Sequence, residues 1–277
     1  MTKTVLITGT SSGLGRTTAR FFAARGWNVV ATMRRPEAET ELTRLDNALV
    51  ARLDVQDRAS IADAISAGIA RFGRIDALIN NAGFGLAGIF EGTPREKIVE
   101  QFEVNVFGVM DVTRAILPHF RQNRSGLVIN ISSGAGVFAP PMISLYCASK
   151  FALEGFSEAL SFELASQGIG VKIIEPGGVL STRLNERAAT EAQHFEAIPD
   201  YNAFIMHSAG AFEAMARAAH ATEEDVAQVI YGAATDGSQR LRYVATEDVV
   251  SMIQARRETS EDHYHALMCA QFMAKAC

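Results

Sequence analysis

Residues 4–26, TVLITGTSSGLGRTTARFFAARG, combine an apolar run, a glycine-containing turn and a helix-like stretch that ends at Gly26. The pattern predicts a buried strand followed by an amphipathic helix. Between them, Gly9 permits a tight turn, Gly13 lets the backbone approach a phosphate, and Gly15 allows close helix packing. The N-terminus of such a helix offers N–H groups and a positive dipole end to a pyrophosphate. Ordinary strand-to-helix turns also contain glycine, but this turn follows an N-terminal strand, which favours dinucleotide binding.

Similar apolar runs recur along the chain, separated by amphipathic stretches. They cover residues 4–9, 28–33, 48–55, 76–83, 126–133, 171–178 and, as a last candidate, 240–245. Strands that are apolar on both faces are typical of parallel sheets covered by helices. The alternation therefore predicts an α/β fold, a doubly wound parallel seven-stranded sheet of the Rossmann type, in a single domain over 1–277. We interpret the strandless stretch from about 184 to 220 as a helical substrate lid, and about 246–277 as a C-terminal helical extension.

The composition excludes several classes of protein. The chain has 277 residues, 48% of them hydrophobic, and a net charge of −5 without a basic stripe, which argues against a nucleic-acid partner. No apolar run is long enough for a membrane span. Because the sequence opens on a predicted strand, we expect no secretory leader. The spacing of Cys147, Cys269 and Cys277 indicates neither a metal site nor a disulfide, so we expect a reduced, cytoplasmic location. His-Tyr-His at 263–265 lacks a third ligand and indicates exposed helix rather than a metal site.

Further motifs follow the glycine turn in a fixed order. NNAG (80–83), NISS (130–133) and PGGVLST (176–182) each end an apolar run, and YCASK (146–150) follows the second of them. Together they resemble the short-chain dehydrogenase/reductase family over nearly the whole chain. Within the family, the sequence YCASKFALEG most resembles that of the steroid- and retinol-type dehydrogenases. The resemblance implies an NAD(P)-dependent oxidoreductase that interconverts a carbonyl and a secondary or primary alcohol by hydride transfer. The alternatives are a 3-oxoacyl-type reductase and a non-catalytic, nucleotide-sensing relative.

Tyr146 and Lys150 are spaced to share one face of a helix. A free tyrosine titrates near pH ~10 and is a weak acid at neutral pH. A nearby ammonium favours the phenolate, so the spacing predicts that Lys150 lowers the pKa of Tyr146 and makes its proton available. The alternative is an ordinary helical pair without a chemical role.

A second polar group near the reacting oxygen would stabilise the negative charge that hydride addition creates. Ser133 ends a predicted strand, and the resemblance puts the catalytic serine at this position. Ser132 is the alternative candidate. Because side chains alternate along a strand, the two serines should point to opposite faces, so we expect only one of them to serve. Asn105 lies among apolar residues, where it is either a satisfied core amide or, as the resemblance implies, a fourth catalytic residue that holds a proton-relaying water beside Lys150. We therefore predict Asn105, Ser133, Tyr146 and Lys150 as catalytic residues, and Ser133 and Tyr146 as substrate contacts.

The resemblance also assigns residues to the cofactor. It implies that Asn81 stabilises the central strands and that the Val179 backbone binds the nicotinamide amide. Ser181 stands where the family usually has threonine and Thr182 comes one residue later, so the phosphate-contacting hydroxyl is left open between them. The predicted cofactor-binding residues are Gly9, Ser11, Ser12, Gly13, Leu14, Gly15, Arg34, Asp54, Val55, Asn81, Ala82, Gly83, Tyr146, Lys150, Pro176, Gly177, Val179 and Ser181.

The end of the second strand indicates which nicotinamide cofactor is preferred. NAD-binding folds usually carry an acid there, which binds the ribose hydroxyls and repels a 2′-phosphate. Met33 is neutral instead, and the guanidinium of Arg34 can grip a 2′-phosphate with paired hydrogen bonds. The alternative is that Arg34 and Arg35 are two solvated arginines, and Ser12 lacks the basic side chain that many NADP-binding relatives carry. We predict that NADP(H) is moderately preferred over NAD(H).

The remaining expectations concern assembly and substrate. The helix predicted over about 148–166 carries Phe151, Phe156, Leu160 and Leu164, apolar residues on more than one stripe. In the family this helix forms a dimer seam that is commonly doubled, so we expect a homodimer or homotetramer. The segment FEAIPDYNAFIM (195–206) would line an apolar site for a small carbonyl or alcohol substrate.

Overall fold

The apolar runs of the sequence form a single parallel sheet in a computed structural model that describes residues 2–179, 190–191 and 195–273. Its strands are β1 (Thr4–Thr8), β2 (Asn28–Met33), β3 (Ala48–Arg52), β4 (Ala77–Asn80), β5 (Gly126–Ile131), β6 (Ile169–Glu175) and β7 (Arg242–Val244). They lie in the order β3-β2-β1-β4-β5-β6-β7, and every neighbouring pair is parallel. The predicted doubly wound seven-stranded sheet is confirmed.

Helices connect the strands on both faces of the sheet. They are α1 (Gly13–Ala24), α2 (Arg58–Phe72), α3 (Arg95–Phe102), α4 (Gly108–Gln122), α5 (Ser144–Ala165), α6 (Asn202–Ala218), α7 (Glu223–Thr235), α8 (Val250–Glu258) and α9 (Glu261–Phe272). One turn of π-helix, Glu103–Phe107, joins α3 to α4.

The alternation of side chains along each strand creates two cores. On β1, Val5 and Ile7 pack with Phe22 of α1 and Ile230 of α7 on one face of the sheet. Leu6, between them, belongs to the core on the other face, which α2, α4 and α5 complete. Successive strand residues point to opposite faces, so a strand that is apolar throughout must be covered twice. This arrangement places the carboxyl ends of β1, β4, β5 and β6 along one edge, on either side of the point where the strand order reverses, and ligands bind at such edges.

The strand predicted over 48–55 ends at Arg52, and three further strands end two or three residues earlier than their apolar runs suggest. The runs 76–83, 126–133 and 171–178 leave the sheet after Asn80, Ile131 and Glu175. Beyond those residues the regular strand pairing stops, and polar groups of the chain form hydrogen bonds with other loops at the edge of the sheet. The motifs NNAG, NISS and PGG are therefore loops that meet at the carboxyl edge, and they carry the candidate site.

The segment between β6 and β7 is helical where the structure describes it. Within the predicted lid, Pro199–Tyr201 form a short 3₁₀ turn and lead into α6, whereas 184–189 and 192–194 lie outside the described residues. After β7, α8 and α9 form the predicted C-terminal extension up to Met273. None of the helices described is long and apolar enough to cross a membrane.

One prediction from cysteine spacing is wrong. Cys269, on α9, is disulfide-bonded, whereas Cys147 is a buried free thiol. Sequence spacing identifies repeated disulfide frameworks and metal sites, but it does not detect a single disulfide bond.

Candidate active site

The turn after β1 is built around glycines that no other residue could replace without strain. Gly9 and Gly13 have φ angles of +74° and +57°, in the left-handed region. A Cβ atom on Gly15 would lie 2.3 Å from the Gly9 carbonyl oxygen and 2.4 Å from Asn81 Nδ2. At the start of α1 the Ser12 side chain makes no capping hydrogen bond, so the N–H groups of the first turn point outward with the positive end of the helix dipole. This cradle suits the pyrophosphate of a dinucleotide.

Asn81 and Thr8 tie the ends of β1 and β4 together. Asn81 Nδ2 donates to the carbonyl oxygens of Thr8 at 2.9 Å and Gly9 at 3.2 Å. The Thr8 hydroxyl accepts from the backbone N–H groups of Asn81 and Ala82, each at 3.0 Å. Ala82 lies directly against Gly9, where an added Cβ would come within 2.9 Å of its Cα. Asn81 therefore stabilises the central strands, as expected, and fixes the shape of the glycine turn.

The loop after β4 is held by two buried amide side chains. Asn105, in the π-helical turn, accepts from Phe84 N at 3.0 Å and donates to Phe84 O at 2.8 Å and to Ser149 Oγ at 3.1 Å. Gln101, one turn earlier, accepts from Leu86 N at 2.9 Å and also donates to Phe84 O. Asn105 is thus a satisfied buried amide that shapes the loop containing Gly83; its role as a proton relay stays a prediction. π-Helical turns often occur at functional sites.

Ser133, Tyr146 and Lys150 converge where β5 meets α5. The Ser133 side chain accepts from Ala135 N at 3.1 Å, donates to Pro176 O at 3.4 Å and lies close enough to the Tyr146 phenol to lower its pKa. The Lys150 ammonium lies 5.7 Å from the centre of the Tyr146 ring and donates to Ile131 O at 2.8 Å. Ser132 is buried on the other side of the strand end, where both its hydroxyl and Glu154 lie close to Gly136. This is consistent with the alternation argument, and the catalytic role of Ser133 stays a prediction.

The electrostatics of the pair are dominated by burial. Burial raises the pKa of Tyr146 to about 12, and the nearby Ser133 hydroxyl only partly offsets it. Burial also lowers the pKa of Lys150 to about 8, against the opposing effect of the Glu154 carboxylate. The Lys150 ammonium donates to Ile131 O, and burial is the largest influence on the Tyr146 pKa; that Lys150 lowers this pKa once a cofactor is bound stays a prediction. The phenol is therefore fully protonated at neutral pH, as a proton donor must be.

The loop after β6 is bound by residues that follow β7. Gly177 N donates to the Thr246 hydroxyl at 2.8 Å, and Gly178 N donates to Asp248 Oδ2 at 2.8 Å. Pro176 O accepts from Gly134 N at 2.8 Å, which joins this loop to the one that carries Ser133. Val179 is buried and pairs with Ala221 in an isolated bridge. Ser181 and Thr182 lie outside the described residues, so the choice between them stays open.

The far end of the candidate dinucleotide site lies beside β2 and β3. Met33 is buried, whereas Arg34 is exposed directly after the last residue of β2. Glu39 and Arg16, which were not predicted for the site, form an ion pair of 2.5 Å, and Glu39 is buried. Of the remaining predicted residues, Ser11 is exposed in the glycine turn, Leu14 packs on the core below it, and Asp54 and Val55 follow β3.

Sequence reasoning missed several residues that shape the site. A Cβ on Gly85 would lie 3.3 Å from the Tyr146 ring, so the loop backbone packs directly on the phenol. Gln101, Ser149, Thr246 and Asp248 position loops through side-chain hydrogen bonds. Of these residues, only Ser149 belongs to one of the sequence motifs, YCASK, and nothing in the sequence indicates its hydrogen bond to Asn105.

Comparisons with known proteins agree with this geometry. Residues 3–193 match the family model described as short chain dehydrogenase. An uncharacterized oxidoreductase of Schizosaccharomyces pombe is 37% identical over 83% of this chain and 94% of its own length. Human 17-beta-hydroxysteroid dehydrogenase type 1 is 32% identical over 91% of this chain and 80% of its own. A short-chain dehydrogenase from Streptomyces avermitilis superimposes with a TM-score of 0.80 at 36% identity, covering 92% of this chain and 91% of its own.

Two other solved relatives carry nicotinamide cofactors. A Burkholderia phymatum family member in complex with NAD has a TM-score of 0.78 at 26% identity, covering 93% of each chain. A gluconate 5-dehydrogenase from Burkholderia cenocepacia, in complex with NADP and tartrate, has a TM-score of 0.75 at 26% identity, covering 90% of this chain and 95% of its own. Both forms of the cofactor thus occur among the structural relatives. Within the portion of the chain that the structure describes, no cluster of three or more His, Cys, Asp or Glu side chains could hold a metal ion.

Proposed function

The chain belongs to the short-chain dehydrogenase family and is an oxidoreductase of the alcohol/carbonyl type, and from this premise we propose that it reduces a small apolar ketone or aldehyde with NADPH. The observation that carries the proposal is the convergence of Ser133, Tyr146 and Lys150 at the end of β5, with the Lys150 ammonium 5.7 Å from the centre of the Tyr146 ring. Two hydroxyl groups at the carboxyl edge of the sheet can both donate to one carbonyl oxygen. A nicotinamide bound along the edge would supply the hydride.

The roles of the chain's own residues follow from their positions. Tyr146 donates its proton to the substrate oxygen as negative charge develops there, and Ser133 stabilises that charge through its hydroxyl. Lys150 places a cation beside the phenol and makes the resulting phenolate less costly. The N–H groups at the start of α1 bind the pyrophosphate, and the loop from Pro176 to Val179 binds the nicotinamide end.

The substrate class is inferred from the apolar side chains of the segment between β6 and β7. On α6, Ser208 is buried, whereas Phe204 and Met206 are 36% and 78% exposed. Phe90, in the loop after β4, is 61% exposed. Apolar side chains presented to solvent near a site of this kind favour a lipophilic substrate and support the proposed lid. A thermal-shift screen with lipophilic ketones and their alcohols, in the presence of NADPH, tests this inference.

The preference for NADPH rests on Met33 and Arg34. We expect kcat/KM to favour NADPH over NADH in the native chain by about 1–3 kcal/mol, the usual value of a hydrogen bond to a charged group. Met33→Asp combined with Arg34→Ala should reverse the preference, because a carboxylate repels the 2′-phosphate and the guanidinium is lost. Arg35→Ala is the matched control and should change the ratio little. A native preference for NADH would contradict the assignment.

A dimer is proposed for the face formed by α4 and α5. Phe151 and Phe162, three helical turns apart, are 39% and 74% exposed on one side of α5, and Phe107, at the end of the π-helical turn, is 50% exposed. Leu160 and Leu164, which suggested the seam in the sequence, are instead buried in the chain's own core. Phe162→Glu should produce a monomer at micromolar concentration in light scattering, because a buried charge is costly. A native protein that is already a monomer would contradict the proposal.

The compartment and the alternative functions can be tested directly. A cytoplasmic location is proposed from the sequence pattern, although the disulfide at Cys269 is a feature more common in oxidising compartments. The number of free thiols, counted in protein isolated from cytoplasm under alkylating conditions, decides between a reduced and an oxidising compartment. A 3-oxoacyl-type reductase would prefer thioester substrates over simple ketones, and a nucleotide-sensing relative would bind NADPH without oxidising it.

A further inference from the structure

A carboxylate from α7 lies beside the glycine turn that follows β1. Glu223, the first residue of α7, accepts a hydrogen bond through Oε2 from the Thr17 hydroxyl of α1 at 2.7 Å. Its other oxygen, Oε1, lies 3.6 Å from the position that a Cβ on Gly13 would take. Gly13 and Thr17 are one helical turn apart and share a face of α1. Glu223 is therefore held beside the first turn of the helix whose N–H groups would bind a pyrophosphate.

The position of Glu223 is fixed by packing on both sides of it. Just before α7, Ala221 pairs with Val179 of the loop after β6, to which the nicotinamide end is assigned. Further along α7, Tyr231 packs edge-on against Phe22 of α1, with ring centres 5.1 Å apart. The start of α7 therefore contacts both loops of the candidate dinucleotide site, and the carboxylate stays close to the glycine turn.

The charge of Glu223 is not offset by a neighbouring cation. Within the ranges that the structure describes, no basic side chain forms an ion pair with it. Arg16, the basic residue of the first turn of α1, pairs instead with the buried Glu39 at 2.5 Å. Like charges near a protein surface repel one another over several ångströms, up to about the Debye length. A carboxylate at this position therefore opposes the binding of an anion at the glycine turn.

We propose that Glu223 sets the affinity and the release rate of the dinucleotide, because its carboxylate repels the pyrophosphate and speeds dissociation of the cofactor. The inference deepens the proposed function and rests on its assignment of the glycine turn to the pyrophosphate. Product release limits turnover in many enzymes, so weaker binding of the pyrophosphate shortens each catalytic cycle. The pyrophosphate is common to NADP(H) and NAD(H). Glu223 therefore acts equally on both cofactors, whereas Arg34 is assigned to distinguish them.

The test compares two isosteric substitutions in the full chain. Glu223→Gln removes the charge but keeps a side-chain oxygen that can accept from Thr17, and Glu224→Gln removes the charge of the exposed neighbour in the same helical turn. In a fluorescence titration at low ionic strength, Glu223→Gln should bind NADPH about three- to tenfold more tightly, as expected when a like charge is removed from beside a phosphate. Stopped-flow measurements should show slower release by the same factor.

The matched control separates electrostatic repulsion from an effect on the helix. Glu224→Gln should leave the NADPH affinity within about twofold of the native value, because the exposed Glu224 makes no contact with α1 that brings it to the turn. Both substitutions should change the melting temperature of the free protein by similar small amounts, because each removes one charge from the same helix end.

Two further properties of the affinity gain identify its cause. The gain in Glu223→Gln should shrink as the salt concentration rises, because ions screen the repulsion. It should also be the same factor for NADPH and NADH, so that the ratio of the two affinities stays native. An unchanged or weaker NADPH affinity in Glu223→Gln, an equal gain in Glu224→Gln, or a gain that does not fall with salt would overturn the inference.

Failure of the inference is distinguishable from failure of the proposed function, because the titrations contain no carbonyl substrate. Tighter NADPH binding by Glu223→Gln in a protein that reduces no carbonyl compound would count against the proposed reaction alone. Carbonyl reduction by a native chain whose cofactor affinity does not respond to Glu223→Gln would count against the inference alone. A native chain that binds neither NADPH nor NADH would overturn both.

Discussion

Tyr146→Phe should lower kcat/KM for carbonyl reduction by about a hundredfold to ten-thousandfold, the range that general acid catalysis contributes. The substitution removes only the phenolic hydroxyl, which lies near Ser133. The ring stays in place between α5 and the Gly85 backbone. The affinity for NADPH should therefore change little, because the cradle at the start of α1 is untouched. Steady-state kinetics with NADPH, combined with a binding titration, measure both quantities.

A matched control separates loss of the proton donor from loss of a tyrosine hydroxyl in general. Tyr231→Phe changes a tyrosine of α7 that packs on Phe22, with ring centres 5.1 Å apart, far along the chain from the proposed site. It should leave kcat/KM within a factor of about two, since surface and peripheral changes rarely exceed ~0.5 kcal/mol. Turnover of Tyr146→Phe at the native rate would exclude the phenol as the proton donor.

Gly15→Ala should remove most of the affinity for the dinucleotide and destabilise the protein. The added Cβ would have to occupy a position 2.3 Å from Gly9 O and 2.4 Å from Asn81 Nδ2, so the first helix must move away from the end of β4. Overpacking of this kind costs typically about 1–3 kcal/mol, and more where backbone atoms are the obstacle. The N–H groups at the start of α1 would move with the helix. We expect the NADPH affinity to fall on the order of a hundredfold or more, because a displacement of binding groups by about 1 Å can have an effect of this size.

Gly232→Ala provides the control for this prediction. Gly232 lies in α7, and an added Cβ there meets no atom within 4 Å. Alanine favours a helix over glycine by up to about 1 kcal/mol, so the melting temperature should stay equal or rise and NADPH should bind normally. If Gly15→Ala bound NADPH as the native chain does, the glycine turn would not be the pyrophosphate site.

The sequence was sufficient for the fold because its signals are local and repeated. Each strand is an apolar run bounded by a helix-like stretch, and every predicted run contains an observed strand. A role could be predicted for each of Gly9, Gly13 and Gly15, because a tight backbone turn accepts few residue types at such positions. The strand ends were placed too late at 83, 133 and 178 because Asn81, Ser133 and Pro176 bond across the sheet edge rather than along it.

The electrostatics of the site were not predictable in the same way. The spacing of Tyr146 and Lys150 gives their common helix face, but the pKa of each depends on burial and on partners far away in sequence. Glu154 lies inside the motif YCASKFALEG, yet its partner is Arg242, 88 residues later. Thr246 and Asp248 likewise act on a loop about 70 residues earlier. Such contacts leave no periodic pattern in a single sequence.

The most direct measurement is the absorbance of NADPH over time, with the purified full chain and a panel of lipophilic ketones and aldehydes. The account predicts that at least one carbonyl compound is reduced, with loss of the reduced-nicotinamide band, and that Tyr146→Phe binds NADPH but does not oxidise it. A native chain that binds NADPH tightly and turns over no carbonyl on the panel, and no corresponding alcohol with NADP, would contradict the account and indicate a nucleotide-sensing protein.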